Sequence, residues 1–547
     1  MAQRTISRRT FLKTGLVAAG AAAAGAGASG MLRDAVSPNL PRNRSRKPNV
    51  LILLADALRA DYVGCYGARR KNHLREYVSP TPNMDKLAEE GTFCSNAYAH
   101  SVTTHSMFSL HSGRPISAFD PLYEGRQSCY FPTFPELFKQ HGYDTKTLSC
   151  NPYHFAFSWN TRGYQTDDIY IPERSYHWRV EAAIWEFERM IERITEPFLW
   201  YIHILPPHMP YNPSRLFFNY FDDGHRWDEE QQVLFGETSG FGRADRIIDH
   251  VAELTPKDLE HIKALYAANV YSADWFVGQV LEQLSRYKVL DRTVIVFLSD
   301  HGDEFLDHGG FFHDGTMYEE DTRIPLIIRY PDQVLRNRRL DDLVGIADVP
   351  ATVLDLADIQ DTLGEGRSLR TPLCETTASP HRQRAFSECQ GVAIREGPWK
   401  FIIYDWQVSN REGQKRWRRN KGDMPTELYD LSKDPAENTD LADRHPQLVE
   451  RFTGLAQEHV EQGAEAWMAH VPARGGPESP RDVPRFDFKA LDGLVAAAAN
   501  VPQDKKQDLG YRGVGIRDCL EIDKKLAQGE GVPPQLVERL RAIGYLR

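Results

Sequence analysis

Residues 49–56 read NVLILLAD: six apolar residues in a row between an asparagine and an aspartate. A run with no polar residue to alternate has no face for water, so it reads as a strand buried on both sides, as the strands of parallel sheets are. Two later runs behave alike. Residues 198–205 end in Pro206-Pro207-His208, and residues 293–298 end in Ser299-Asp300-His301-Gly302. Helical patterns lie between them, at 135–141 and from Thr255 to about Tyr287, where Leu259, Ile262, Leu265 and Tyr266 recur at three- and four-residue spacing. Strands alternating with helices predict an α/β fold, a mainly parallel sheet covered by helices on both faces. Ligands of such sheets sit beyond the carboxyl ends of the strands. Asp56, His208, and Asp300 with His301 are all delivered to that edge.

From about Ala385 the pattern changes. Residues 391–395, 399–404 and 427–431 are short strands separated by turn residues, which predicts a small antiparallel α+β subdomain. Residues 472–484 are rich in proline and charge, and the tail beyond carries weak helical patterns such as 534–543. The expected organisation is a signal at 1–28, a linker at 29–47, a catalytic α/β domain at 48–384, the antiparallel subdomain at 385–471 and a tail at 472–547.

The signal rests on Ser7-Arg8-Arg9-Thr10-Phe11-Leu12-Lys13, an alanine-rich apolar run, and the small residues Ala26-Gly27-Ala28 in that order. It predicts export by the twin-arginine route to the periplasm or beyond, a route that carries folded proteins and therefore suits one with a bound metal. No other run approaches the roughly 18 apolar residues of a membrane span, so no stable membrane anchor is expected. A formal net charge of −10 argues against a nucleic-acid partner. The seven cysteines form no CxxC pair and no zinc spacing, and support no pairing.

Two carboxylates and an imidazole, Asp56, Asp300 and His301, suit a divalent cation: Mn²⁺ or Ca²⁺ ahead of Zn²⁺ or Mg²⁺. Residues 100–115, HSVTTHSMFSLHSGRP, place several hydroxyls at the expected start of a helix. A hydroxyl there, beside a metal, can lose its proton and act as a nucleophile, and the helix start favours a bound oxyanion.

Taken together, these pieces resemble the sulfatases, within the alkaline phosphatase superfamily. "NVLILLADALRADYVGCYG" (49–67) is similar to the family's first strand and metal loop, and "TTHSMFSLHSG" (103–113) to its nucleophile segment. "PPHMPY" (206–211) resembles the central histidine loop, and "SDHGDEFLDHG" (299–309) with "YEEDTRIPLII" (318–328) the late metal loop. "ELYDLSKDPAENTDL" (427–441) resembles the C-terminal subdomain. The resemblance covers residues 47–335 and 385–441.

Sulfatases carry Cys or Ser in Cys-x-Pro-Ser-Arg, which is oxidised to formylglycine. Laying "LHSG" on the family's Leu-Leu-Thr-Gly puts Thr103 at the nucleophile, His105 at the proline, Ser106 at the serine and Met107 at the arginine. Threonine cannot mature to formylglycine, so the resemblance implies an unmodified Thr103 nucleophile, as in phosphoesterases and phosphotransferases of the superfamily; the alternative is that Thr103 only caps a helix. The family's second metal aspartate is here Ala57, its Gly-Lys-Trp-His segment is Ser149-Cys150-Asn151-Pro152, and its late lysine falls on His313 or Asp314. The implied metal site is Asp56, Thr103, Asp300 and His301 around one ion, since the middle loop lacks the Asp-x-x-x-His of two-metal members. The catalytic set is Thr103, His208 and His313, with Asn151, His208 and His313 contacting substrate. Asp303 and His308 are read as lying outside the reacting set, and His203, inside a strand, as core. The implied activity is hydrolysis of a sulfate or phosphate ester of a small molecule or glycan. The alternatives are a phosphodiesterase, phosphonate monoesterase or phosphotransferase, or a non-enzymatic relative that binds an anionic glycan. The oligomeric state stays open.

Overall fold

The computed structural model describes residues 47–470, except 101, 119–130, 152–160, 166–168, 171–179, 210, 212, 214–216, 218–219, 222–253, 314–315, 332, 377–380, 390 and 405–425. The expected signal, the tail, Asp314, Cys129 and Cys519 lie outside the described residues.

Nine strands build the central sheet: β1 (Asn49–Ala55), β2 (Thr92–Tyr98), β3 (Asp144–Ser149), β4 (Ile169–Tyr170), β5 (Phe198–Ile204), β6 (Thr293–Ser299), β7 (Arg323–Ile324), β8 (Leu326–Arg329) and β9 (Arg338–Gly345). Their order is β7-β2-β8-β6-β1-β5-β3-β4, with β9 along the outer side of β2. Strands β6, β1, β5 and β3 are parallel neighbours, in a register that sets Ala55 beside both Ser299 and Ile204 and Ser149 beside His203. The antiparallel members are β7 and β8. The expected α/β class is therefore the observed one.

Every residue of β1, β5 and β6 is buried, which is why these runs are continuous rather than alternating. Successive side chains still go to opposite faces. Leu51, Leu53 and Ala55 pack with Trp200 and Ile202 against helices α1 (Pro82–Glu89), α4 (Val180–Ile191) and α5 (Pro256–Arg286). Val50, Ile52 and Leu54 pack against α2 (Thr103–Ser112), α3 (Phe134–Gln140) and α6 (Asp348–Leu356). The 31-residue α5 starts on a capping box: Thr255 Oγ1 accepts from the Asp258 amide, and Asp258 accepts from the Thr255 amide.

A second sheet of four antiparallel strands follows: β10 (Arg384–Glu388), β11 (Gly391–Glu396), β12 (Trp399–Tyr404) and β13 (Thr426–Asp430). Its one face packs on the 25-residue helix α7 (Pro446–His470), a helix the sequence patterns did not single out, and its other face packs on Met317 and Tyr318 of the catalytic domain. The buried Lys400 ammonium bonds Glu319 and Glu437, each at 3.1 Å, and so ties the two sheets together. Among the described residues Cys65, Cys94, Cys150, Cys374 and Cys389 are free thiols, and no helix is long and apolar enough to cross a membrane.

Glu388 makes a second tie. Its carboxylate accepts from the amides of Ile116 and Ser117, at 3.0 and 2.9 Å, and from His459 Nε2 at 3.0 Å. Burial alone would raise its pKa, but His459, His100 and Ser117 hold it down, to about 2 from 4.5. A carboxyl depressed on folding contributes stability above its unfolded pKa and loses it as pH falls through the folded value. Glu388→Gln should therefore cost about 3 kcal/mol at pH 7, with the gap to wild type closing between about pH 4.5 and 2. Urea unfolding across that range checks it, and a gap independent of pH would contradict it.

Candidate active site

Asp56 directly follows β1, Asp300 and His301 follow β6, His208 lies four residues beyond β5, and Asn151 two beyond β3. These are consecutive strands of the sheet, so one edge gathers all five side chains. β2, on the far side of β8, leads at the same edge into α2 and Thr103.

The two carboxylates are wholly buried. Each has one oxygen tied to protein. Asp56 Oδ2 accepts from the Asn151 side-chain amide and from His203 Nε2, the latter at 2.9 Å. Asp300 Oδ1 accepts from the amides of Ala57 and His301, at 3.2 and 3.1 Å. Each also has one oxygen with no hydrogen-bond partner, Asp56 Oδ1 and Asp300 Oδ2. Both orphaned oxygens face His301 Nε2, at 3.5 and 3.7 Å. Buried polar atoms without partners are rare and costly. Two carboxylate oxygens and an imidazole nitrogen converging in this way fit a divalent cation, and the three residues offer ligand atoms within 4.8 Å of one another. Burial alone would raise the Asp56 pKa, but His208, His203 and His301 hold it well below its ordinary value, so it is ionised as a ligand must be. Burial alone would lower that of His301, yet Asp300, Asp56 and Asp303 raise it, which registers the negative field at the centre.

Thr103 is the first residue of α2. The residue before it, Val102, occupies the cap position and makes no side-chain cap bond. Thr103 Oγ1 instead lies 3.1 Å from His301 Nε2. His301 Nδ1 donates to the Gly302 carbonyl at 2.8 Å, so in the neutral imidazole Nε2 is the acceptor and the threonine hydroxyl donates to it. Ser106 Oγ accepts from the His100 amide and donates to the His100 carbonyl, a local structural use.

Two backbone details fix this corner. Ala57 has φ 58°, a left-handed conformation unusual for a residue with a side chain; its amide reaches Asp300 and its carbonyl accepts from the Tyr266 hydroxyl at 2.6 Å. Gly302 packs so closely that an added Cβ would lie 1.9 Å from the Glu320 carbonyl oxygen.

The predicted histidines gather here as well. His208 and His313 have ring centroids 4.8 Å apart, and those of His301 and His313 are 4.2 Å apart. His208 Nδ1 donates to the Met209 carbonyl at 2.5 Å, and His313 Nδ1 donates to Asp303 Oδ1 at 2.6 Å. Asn151, expected on the substrate, has its amide committed to Asp56. Sequence reasoning missed Tyr211 and did not foresee what His203 and Asp303 bond. His203 is buried as expected, but its ring bonds a metal-site carboxylate. Asp303 is buried against His313. Tyr211 donates its hydroxyl to Asp303 Oδ2 at 2.8 Å. An ionisable residue near the carboxyl end of an otherwise apolar strand was the available signal for His203; Tyr211 and Asp303 stand inside the motifs already quoted. His301, Asp303 and His313 form an overlapping candidate ligand group, but with Nδ1 of both histidines engaged, His301 Nε2 serves one ion only. His308 belongs elsewhere, with Glu320 at 3.4 Å and Glu437, where Lys400 already supplies a cation.

The comparisons with known proteins agree with this architecture. The sulfatase family model matches residues 48–359. An arylsulfatase of Clostridium perfringens is 25% identical over 463 residues, covering 72% of this chain and 90% of its own length. Arylsulfatase K of Gallus gallus is 24% identical, covering 78% and 84%. Among solved structures, a 2-O GAG sulfatase aligns with a TM-score of 0.58 at 20% identity, over 77% of this chain and 94% of its own. The phosphonate monoester hydrolase of Agrobacterium radiobacter aligns at 0.57 and 18%, over 76% and 96%, and at such identities the likeness is one of fold. With the family model spanning more than half of the chain, and strand ends, carboxylates and helix start in the arrangement described, the protein belongs to the sulfatase family and is a hydrolase.

Proposed function

We propose that this protein is an exported, single-metal hydrolase of monoanionic sulfuric or phosphoric esters that uses Thr103, chemically unmodified, as its nucleophile. The observation that carries the reading is the Thr103 hydroxyl at 3.1 Å from His301 Nε2, beside two buried carboxylate oxygens without partners.

Asp56, Asp300 and His301 would hold the metal, with Thr103 Oγ1 next to it. When bound, the cation supplies Lewis acidity that favours the deprotonated hydroxyl and the charge developing on the ester oxygens. The amides at the start of α2 face the same anion. His203 and Asn151 orient Asp56, while Ala57 and His301 orient Asp300 through their amides. His208 and His313 present imidazoles to the transferred group and the departing oxygen. An ester on an ordinary threonine has no hemiacetal through which to collapse, so the return step is attack by water at sulfur or phosphorus. The late lysine of the family pattern falls on His313 or Asp314, neither a fixed cation, which favours an ester with one negative charge over a dianion. The arylsulfatase names of the similar proteins support the sulfate arm, and a small molecule or glycan is the expected carrier.

Thr103→Ala should remove nearly all turnover with little change in folding stability, since one hydroxyl contributes about 1 kcal/mol or less. Thr103→Ser should keep part of the activity. Peptide mass spectrometry of the wild type should find plain threonine at 103. Wild-type rates in Thr103→Ala, measured on whichever aryl sulfate, phosphodiester or phosphonate is fastest, would remove Thr103 from the mechanism.

Elemental analysis of purified protein should find close to one equivalent of Mn²⁺, Ca²⁺, Zn²⁺ or Mg²⁺. Asp300→Ala should abolish it, and two equivalents lost together would contradict the single site. Replacing Arg8 and Arg9 by lysine should retain the protein inside the cell; continued export by fractionation assay would count against the twin-arginine route.

A further inference from the structure

Three histidines meet at the site, and each is anchored through Nδ1, but the anchors differ in kind. His301 and His208 donate to backbone carbonyls, of Gly302 and Met209. His313 donates to a carboxylate, Asp303 Oδ1, at 2.6 Å. Asp303 is wholly buried, and its second oxygen accepts the Tyr211 hydroxyl at 2.8 Å. Tyr211 is itself clamped among rings, with centroids 5.4 Å from Tyr266, 5.6 Å from Phe305 and 5.9 Å from Phe312. Phe312, next to His313, is buried with φ 67°, a strained conformation for a bulky residue. Three chain segments thus converge to orient one imidazole, whose Nε2 is left uncommitted.

A carbonyl can only orient a ring, whereas a carboxylate also supports the ring when it carries a second proton. We propose that Asp303, held by Tyr211, is a positioning residue that makes His313, rather than His208, the group exchanging a proton with the departing and the entering oxygen. This rests on the two-step reading of Thr103. In the first step Thr103 Oγ, as the oxyanion, bonds to sulfur or phosphorus. The bond to the leaving oxygen breaks, and that oxygen takes the proton from His313 Nε2. In the second step a water gives its proton to His313 Nε2 while its oxygen attacks, and Thr103 Oγ leaves as the oxyanion it began as. Protons and electron pairs balance over the two steps. One residue serves both because water enters from the side the first group left.

The test compares the phenyl and 4-nitrophenyl esters of the acid, sulfate or phenylphosphonate, on which the wild type is faster. Phenoxide leaves poorly and needs the proton; 4-nitrophenoxide leaves well without it. Asp303→Asn should lower kcat/KM by about 10²-fold on the phenyl ester and by less than about tenfold on the 4-nitrophenyl ester. Tyr211→Phe should show the same contrast, smaller, and His208→Gln should not show it. Metal content and thermal midpoint, measured on the same preparations, separate this from misfolding: if Asp303→Asn binds no metal, Tyr211→Phe and His313→Gln carry the comparison. Equal losses on the two esters, or a rise in KM alone, would overturn the proposal. The nucleophile reading is read separately. With the 4-nitrophenyl ester, Asp303→Asn should accumulate the ester on the Thr103 peptide, visible by mass, because the second step has lost its base. If Thr103→Ala stays active and no ester is found, the two-step reading fails, while the leaving-group contrast, which reports only on the departing oxygen, still decides the role of Asp303.

Discussion

Two buried carboxylates at the ends of neighbouring parallel strands set the terms for everything around them. Asp56 and Asp300 have ligand oxygens within 4.8 Å of each other. At an effective dielectric constant of about 20, two full negative charges at that separation repel by about 3–4 kcal/mol. The fold does not relieve this by pairing each with an arginine. It fixes one oxygen of each with neutral donors, amide N–H groups and the Asn151 side chain, together with His203, and leaves the other two oxygens bare. That arrangement pre-orients the ligands while keeping the net attraction for a cation. It also explains why Ala57 holds a left-handed conformation: its amide is needed on Asp300, and the turn directly after β1 brings it there.

The sheet topology delivers these groups with no further specification. β6, β1, β5 and β3 are adjacent and parallel, so their carboxyl ends share an edge, and the register aligns Ala55 with Ser299 to within one residue of both carboxylates. The loops beyond that edge have only to be short. The second sheet does not contribute to the metal group. Its role in the geometry is to brace the 317–322 segment through Lys400, and the Glu320 carbonyl of that segment is what Gly302 must pass closely.

The fold was legible because β1, β5 and β6 are buried on both faces and therefore written as unbroken apolar runs ending at polar residues; Asp56, Asp300, His301 and His208 could be read off those ends. The order of strands could not, because nothing in a strand's composition names its neighbour. His203 is buried as expected, but its bond to Asp56 was not legible, for a related reason. Burial within a strand is what sequence pattern reports, and a buried histidine bonded to a carboxylate at the end of the neighbouring strand looks the same as one packed in a core. Asn151, expected on the substrate from its place in a motif, also donates its side-chain amide to the buried Asp56 carboxylate, a contact no motif spelled out. α7 escaped notice because half of a helix's evidence is the surface it packs against, here the sheet of Val392, Ile394 and Phe401.

The departures of this chain from the sulfatase pattern fall on both the metal loop and the anion clamp. Alanine at 57 removes a carboxylate from the metal loop. Where the family has its late lysine the chain has His313 or Asp314, neither of them a fixed cation. Methionine at 107 and Ser149-Cys150-Asn151-Pro152 in place of Gly-Lys-Trp-His remove further cations, so the positive side loses more than the negative. In the proposed function such a site would hold its ion with two carboxylates and one imidazole and would meet the ester with imidazoles whose protons can move. The proposed use of Thr103 as nucleophile adds a further demand. Formylglycine releases its ester by collapse of a hemiacetal and needs no proton acceptor placed for water, whereas a threonine ester does need one. In the proposed mechanism His313, buttressed by Asp303 and Tyr211, would supply such an acceptor. In that proposal Thr103 and His313 answer one chemical requirement, a nucleophile whose ester only water can release and a base placed for that water.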